Sequence, residues 1–79
     1  MVKLREYYVE PERLGGWVVR NNGFAISRSG SESEAAETAR RIAFSEWRNV
    51  KVDSQVHVYR PDGRFRTDWF FGASQPRYP

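Results

Sequence analysis

No cysteine occurs in this chain, which excludes disulfide staples and thiolate metal sites. Histidine is represented once, by His57, so there is no imidazole cluster to hold a metal ion. No pair of carboxylates sits at a spacing that marks acid–base work. No glycine-rich loop feeds a helix start that could cradle phosphate, and Gly15-Gly16, followed by strand-forming residues, reads as a turn. No apolar run approaches the roughly 18 residues that a membrane span needs. The stretch Met1 to Glu6 lacks the apolar core of a signal peptide. These absences predict a protein that is not an enzyme, carries no metal or cofactor, keeps away from membranes and works in a reducing cytoplasm.

What is present is aromatic and basic. The 79 residues are read as one domain, 1–79, with 72–79 a loose tail that contains two prolines and little that can pack. A domain this small buries only roughly 60% of its unfolded surface, so its core must be dense. Three Trp, four Tyr and five Phe supply that density. Net charge is +3, and its distribution is uneven: residues 1–30 sum to +2, residues 31–47 to −2 and residues 48–79 to +3. The strand-forming parts are therefore basic and the helical part acidic. Eleven of the 13 basic residues are Arg, the side chain suited to bidentate contacts with phosphate or carboxylate. The bland explanation is a solubility device.

Element signals follow in the order strand, strand, strand, helix, strand, strand. Arg5 to Glu10 alternates and is rich in Tyr and Val; Trp17 to Arg20 and Phe24 to Arg28 are joined by Asn21-Asn22-Gly23, a strong hairpin signal. Ser31 and Glu34 have the spacing of a capping box, which starts a helix predicted over Glu32 to Trp47. Ala35, Ala36, Ala39, Ile42, Ala43 and Trp47 share an arc of about 140° on it. Alanine at the central contacts lets the helix approach a sheet closely. Its length of about 22 Å matches a six-residue strand, so the economical packing is one helix across one face of an antiparallel sheet of about five strands. A loop is predicted at 48–54, then a hairpin of Gln55 to Arg60 and Arg64 to Phe71. Its register has two readings. An Asp62-Gly63 turn pairs Tyr59 with Arg66 and His57 with Asp68, leaving Val56, Val58, Phe65 and Trp69 facing the helix. A three-residue loop with Pro61 at the second turn position pairs Tyr59 with Phe65 and Val58 with Arg66. Burial favours the first, or a bulge that restores it.

Tyr8-Val9, Gly15 to Val19, Glu34 to Ala36, Ala39-Arg40, Ile42-Ala43, Val56 to Val58 and Asp62 to Phe65 carry a family pattern. On these residues the chain resembles the small bacterial and phage-associated proteins grouped as domain of unknown function 2188. The resemblance implies a compact strand-and-helix domain and no assigned catalytic residue. Departures from the pattern are a longer loop between the helix and the fourth strand, Trp47 at a small or polar helix end, and Phe44 at a polar position.

Two surfaces are candidates for a partner. Phe44 lies about 180° from Ala35 on the helix, flanked by Arg40 and Arg48 at i±4 and by Arg41. An exposed ring among arginines can anchor a protein partner by apolar area and cation–π contact, unless the tail or the 48–54 loop folds over it. The second surface is the sheet face that a single helix leaves bare, with Arg20, Arg28, Tyr59, Arg60, Arg64 and Arg66 assigned to it or its rim. Basic groups between aromatic faces can hold a nucleic-acid backbone and stack its bases; in an ordinary amphipathic sheet, Arg stems simply cover apolar surface. A homodimer through the bare face or an open edge would bury surplus aromatics. The leading expectation is a non-enzymatic domain that occludes a protein or nucleoprotein partner, in one version a phage anti-CRISPR inhibitor by analogy. The alternative is a small nucleic-acid-binding module.

Overall fold

The computed structural model describes residues 4–72, so all but Gly72 of the predicted tail at 72–79 lies outside the described residues. Five strands and a helix follow one another as β1 (Leu4–Pro11), β2 (Trp17–Asn21), β3 (Phe24–Ser29), α1 (Glu32–Val50), β4 (Asp53–Tyr59) and β5 (Phe65–Phe71). They form one sheet in the order β3-β2-β1-β4-β5, with the helix across one face. The predicted element order and the single helical layer are both present.

One pair departs from the antiparallel expectation: β1 and β4 run parallel, with Tyr7 beside Val56 and Val9 beside Val58. The helix is the cause. β3 runs parallel to β1 through two antiparallel steps, and the helix carries the chain back along the sheet. The strand after it therefore starts from the end where β3 started. It must run with β3 and β1, and it finds its place on the free side of β1.

The turns obey local chemistry. Asn22 and Gly23 take φ of 52° and 82° between the paired Asn21 and Phe24, the positive angles that a two-residue hairpin turn requires. Around Pro61 the three-residue loop forms: Gly63 N–H donates to Arg60 O at 2.9 Å and Arg60 N–H to Arg64 O at 2.8 Å, with Gly63 at φ 86°. Tyr59 thus faces Phe65, Val58 faces Arg66 and His57 faces Thr67. A bulge between Val56 and His57 then slips the register by one, so that Val56 meets Trp69. Turn chemistry sets the loop end and burial sets the far end, with the bulge reconciling them. The favoured register is corrected at Phe65, which leaves the helix side, and at His57, whose partner is Thr67 and not Asp68.

Ser31 caps the helix: its Oγ accepts Glu34 N–H at 3.2 Å and donates to Glu34 Oε1 at 3.2 Å. The helix runs three residues past Trp47 and ends at Lys51, whose φ of 61° is left-handed and whose N–H meets Trp47 O at 3.1 Å. The predicted 48–54 loop is therefore corrected to Lys51 and Val52 alone. Ala35, Ala39 and Ala43 are fully buried against Tyr7, Val9, Val19, Val56 and Val58, with Trp17, Ala36, Ile42, Trp69 and Phe71 packed around them.

Candidate functional site

Strand alternation divides the side chains between two faces. Tyr7, Val9, Val19, Val56 and Val58 go to the helix, so Glu6, Tyr8 and Glu10 of β1, Val18 and Arg20 of β2, and His57 and Tyr59 of β4 go to the outer face. No described element crosses that face.

Its centre is a cross-strand aromatic group. Tyr8 lies 4.9 Å from the His57 ring and 5.2 Å, edge-on, from Phe65; Tyr59 meets Phe65 edge-on at 5.4 Å. Phe65 remains 42% exposed. Glu10, Pro11, Tyr59 and Phe65 line an open cleft at its margin. His57 ties three strands together, with Nε2 3.0 Å from Glu6 Oε1 and Nδ1 2.7 Å from Thr67 Oγ1. A carboxylate can only accept, so Nε2 carries a proton, and in the neutral ring Nδ1 accepts from the Thr67 hydroxyl. Burial first, and then the neighbouring Glu6 charge, push the Tyr8 phenol above its ordinary value.

The basic half of this face lies on β2 and β3. Arg20 Nε meets Glu10 Oε1 at 3.3 Å and Arg28 Nε meets Glu12 Oε1 at 2.7 Å. Val18 sits in the row between Glu10 and Arg28 and is fully buried. With no helix on that side, its flanking Arg and Glu side chains are the groups placed to cover it.

The structure separates the arginines that the sequence grouped. Arg20 and Arg28 are on the outer face with Tyr59. Arg60 and Arg66 are not: both clasp Asp68 at 2.8 Å, and Arg60 reaches Glu32 at the helix start at 3.8 Å. They belong to the helix side, because Arg66 is the partner of inward-facing Val58. Arg64 is exposed beside the hairpin loop, its backbone N–H held by Asp62 at 2.9 Å.

The helix patch is mostly engaged within the molecule. Arg40 and Arg41 both pair with Glu37, and the Arg40 hydrogen bond holds the Glu37 carboxyl below its ordinary range. Phe44 is only 36% exposed, packed at 5.8 Å on Trp47 and edge-on at 5.5 Å on Phe71. Its cover is the last strand, where the sequence suggested the tail or the loop. Arg48 is exposed and has no ion-pair partner among the described residues.

Sequence reasoning missed Tyr8 and Phe65 as the heart of the outer surface. Alternation in β1 already placed Tyr8 outward, and Pro61 pointed to the register that turns Phe65 outward. Among the described residues no helix is long and apolar enough to cross a membrane. A family model described as an uncharacterized protein conserved in bacteria (DUF2188) matches residues 7–69. No curated protein and no solved structure matches the chain.

Proposed function

We propose that this chain, which belongs to the DUF2188 family of bacterial proteins, is a non-enzymatic interaction domain that works by occlusion and docks through the outer face of its sheet. The observation that carries the reading is the set of Tyr8, Tyr59 and Phe65 on a face that the single helix leaves uncovered. Aromatic groups in a patch with a polar margin are the composition of a docking surface. Against catalysis stands His57: both ring nitrogens are engaged between strands and Tyr8 lies over the ring. Among the two candidate patches the sheet face is favoured over the helix, where Phe44 already has intramolecular partners. The domain then acts in the cytoplasm, which suits a chain without cysteine.

Capture experiments with immobilised protein test the reading. Phe65→Asp should abolish capture of a protein or nucleoprotein partner, whereas Arg41→Glu combined with Arg48→Glu should leave it intact; the reverse result moves the site to the helix. In the inhibitor version the captured species is a CRISPR effector complex. The nucleic-acid version has less support, because Glu6 and Glu10 share the face and Glu10 and Glu12 neutralise Arg20 and Arg28. It predicts DNA or RNA binding at about 50 mM salt that falls with a log–log slope of about −0.9 per phosphate contacted.

A further inference from the structure

We infer that the outer face takes a second copy of this chain, packed face to face about a two-fold axis parallel to β1. This rests on the reading above of the sheet face as a docking surface, and the second copy competes with a foreign partner for that face.

The strand order makes the face self-complementary. β1 is central, with β2 and β3 to one side and β4 and β5 to the other. The first side carries Arg20 and Arg28, and the second carries the rings of His57, Tyr59 and Phe65. One lateral row reads Arg28, Val18, Glu10, then Tyr59 and Phe65; the next reads Ala25, Arg20, Tyr8, His57 and Thr67. A two-fold rotation about an axis along β1 exchanges the two sides and keeps each row in place. Arg28 of one copy then lies over Phe65 of the other, Val18 over Tyr59, and Arg20 over His57. Guanidinium groups meet ring faces, an arrangement favoured by the ring quadrupole and strengthened when water is excluded. Near the axis Tyr8 meets its own copy, and each Glu10 arrives already neutralised by its own Arg20.

The size also fits. Five strands about 4.8 Å apart, averaging roughly six residues at about 3.3 Å each, make a face of roughly 24 by 20 Å. Two such faces bury about 1,000 Å² in flat projection and more once side chains interdigitate, which reaches the range where specific interfaces begin.

Sedimentation equilibrium of the full chain, from about 5 to about 500 µM, reads the association by mass action. The wild type should pass from one chain mass to two. Phe65→Arg and Arg28→Glu, on opposite halves of the face, should each weaken association at least ~10-fold. Arg41→Glu combined with Arg48→Glu on the helix should leave it unchanged, and circular dichroism should show every variant folded. Phe65→Arg and Arg28→Glu, each weak alone, should associate when mixed, because the substituted positions meet across the interface. A wild type that keeps one chain mass throughout overturns the inference. If Phe65→Asp then still abolishes capture of a foreign protein, the sheet-face reading stands and only the second copy is lost. Association that survives both face variants and fails in the helix variant overturns both.

Discussion

Tyr7 is a phenol placed where a hydrocarbon would pack more simply. It is buried between β1 and the helix, and burial, reinforced by the Glu46 charge, pushes its ionisation above the ordinary value; Arg5 opposes the shift. The folded chain therefore holds this proton more tightly than the unfolded chain does. The resulting contribution is undiminished below about pH 10 and is lost as pH rises through the raised folded value. Tyr7→Phe, with no proton to lose, should flatten the alkaline limb of a stability profile measured by urea melts. Phe44 shows a different mixture at the same scale. Its contacts with Trp47 and Phe71 mean that Phe44→Asp should cost about 1–3 kcal/mol in the same melts, the usual range for replacing a packed apolar side chain. A residue free to serve only a partner would leave the melts unchanged.

At the scale of elements, the helix is a stripe of small residues set close to a sheet. Ala35, Ala39 and Ala43 have no exposed surface, so there is no room for a larger group. Ala39→Leu should destabilise by about 1–3 kcal/mol through overpacking. The helix end offers the opposite opportunity. Lys51 holds a left-handed φ of 61°, a conformation that costs a residue with a Cβ roughly 1–2 kcal/mol and costs glycine almost nothing. Lys51→Gly should raise stability by about 1 kcal/mol in urea melts, with the gain reduced by the greater freedom of glycine in the unfolded chain. That left-handed turn is what shortens the connection to β4. Arg48 to Val50 carry no helix-breaking residue, and Asn49 donates to Ser45 Oγ at 3.0 Å one turn back, so the helix continues into the stretch predicted as a loop.

For the whole molecule, the parallel β1–β4 pair is the non-local closure. Residues 4–9 must find residues 53–58 across the intervening hairpin and helix, and the central position of β1 makes that pairing the spine of the sheet. Native-state hydrogen exchange should therefore find the slowest amides in β1 and β4 and the fastest among the sheet's own in β3 and β5, whose outer edges are unpaired among the described residues. Slow exchange along β3 or β5 at high concentration, lost on dilution, would mark an edge-to-edge contact in place of the face-to-face one. Charge at this scale is less available than the +3 sum implies. Arg5, Arg20, Arg28, Arg40, Arg41, Arg60 and Arg66 each have a carboxylate partner on the chain itself.

Local chemistry in the sequence by itself determined the Asn22-Gly23 turn, the Ser31 cap, the alanine stripe and the order of the elements, because each depends on residues a few positions apart. It also held the family pattern, which needs only short spacings. Tertiary structure alone decided which arginines are free and which rings share a face. Arg60 and Arg66 left the sheet face because the Pro61 register sets Arg66 opposite inward-facing Val58, and Asp68 and Glu32 hold Arg60 on that side. Phe65 turned outward because the demands of the Pro61 loop and of the Val56–Trp69 core pair differ by one residue, and a bulge absorbs the difference. Register, and the charge pairs that cross between elements such as Arg5–Glu46 and Arg60–Glu32, are settled between segments distant in sequence, so neither can be read from the spacing of residues within one.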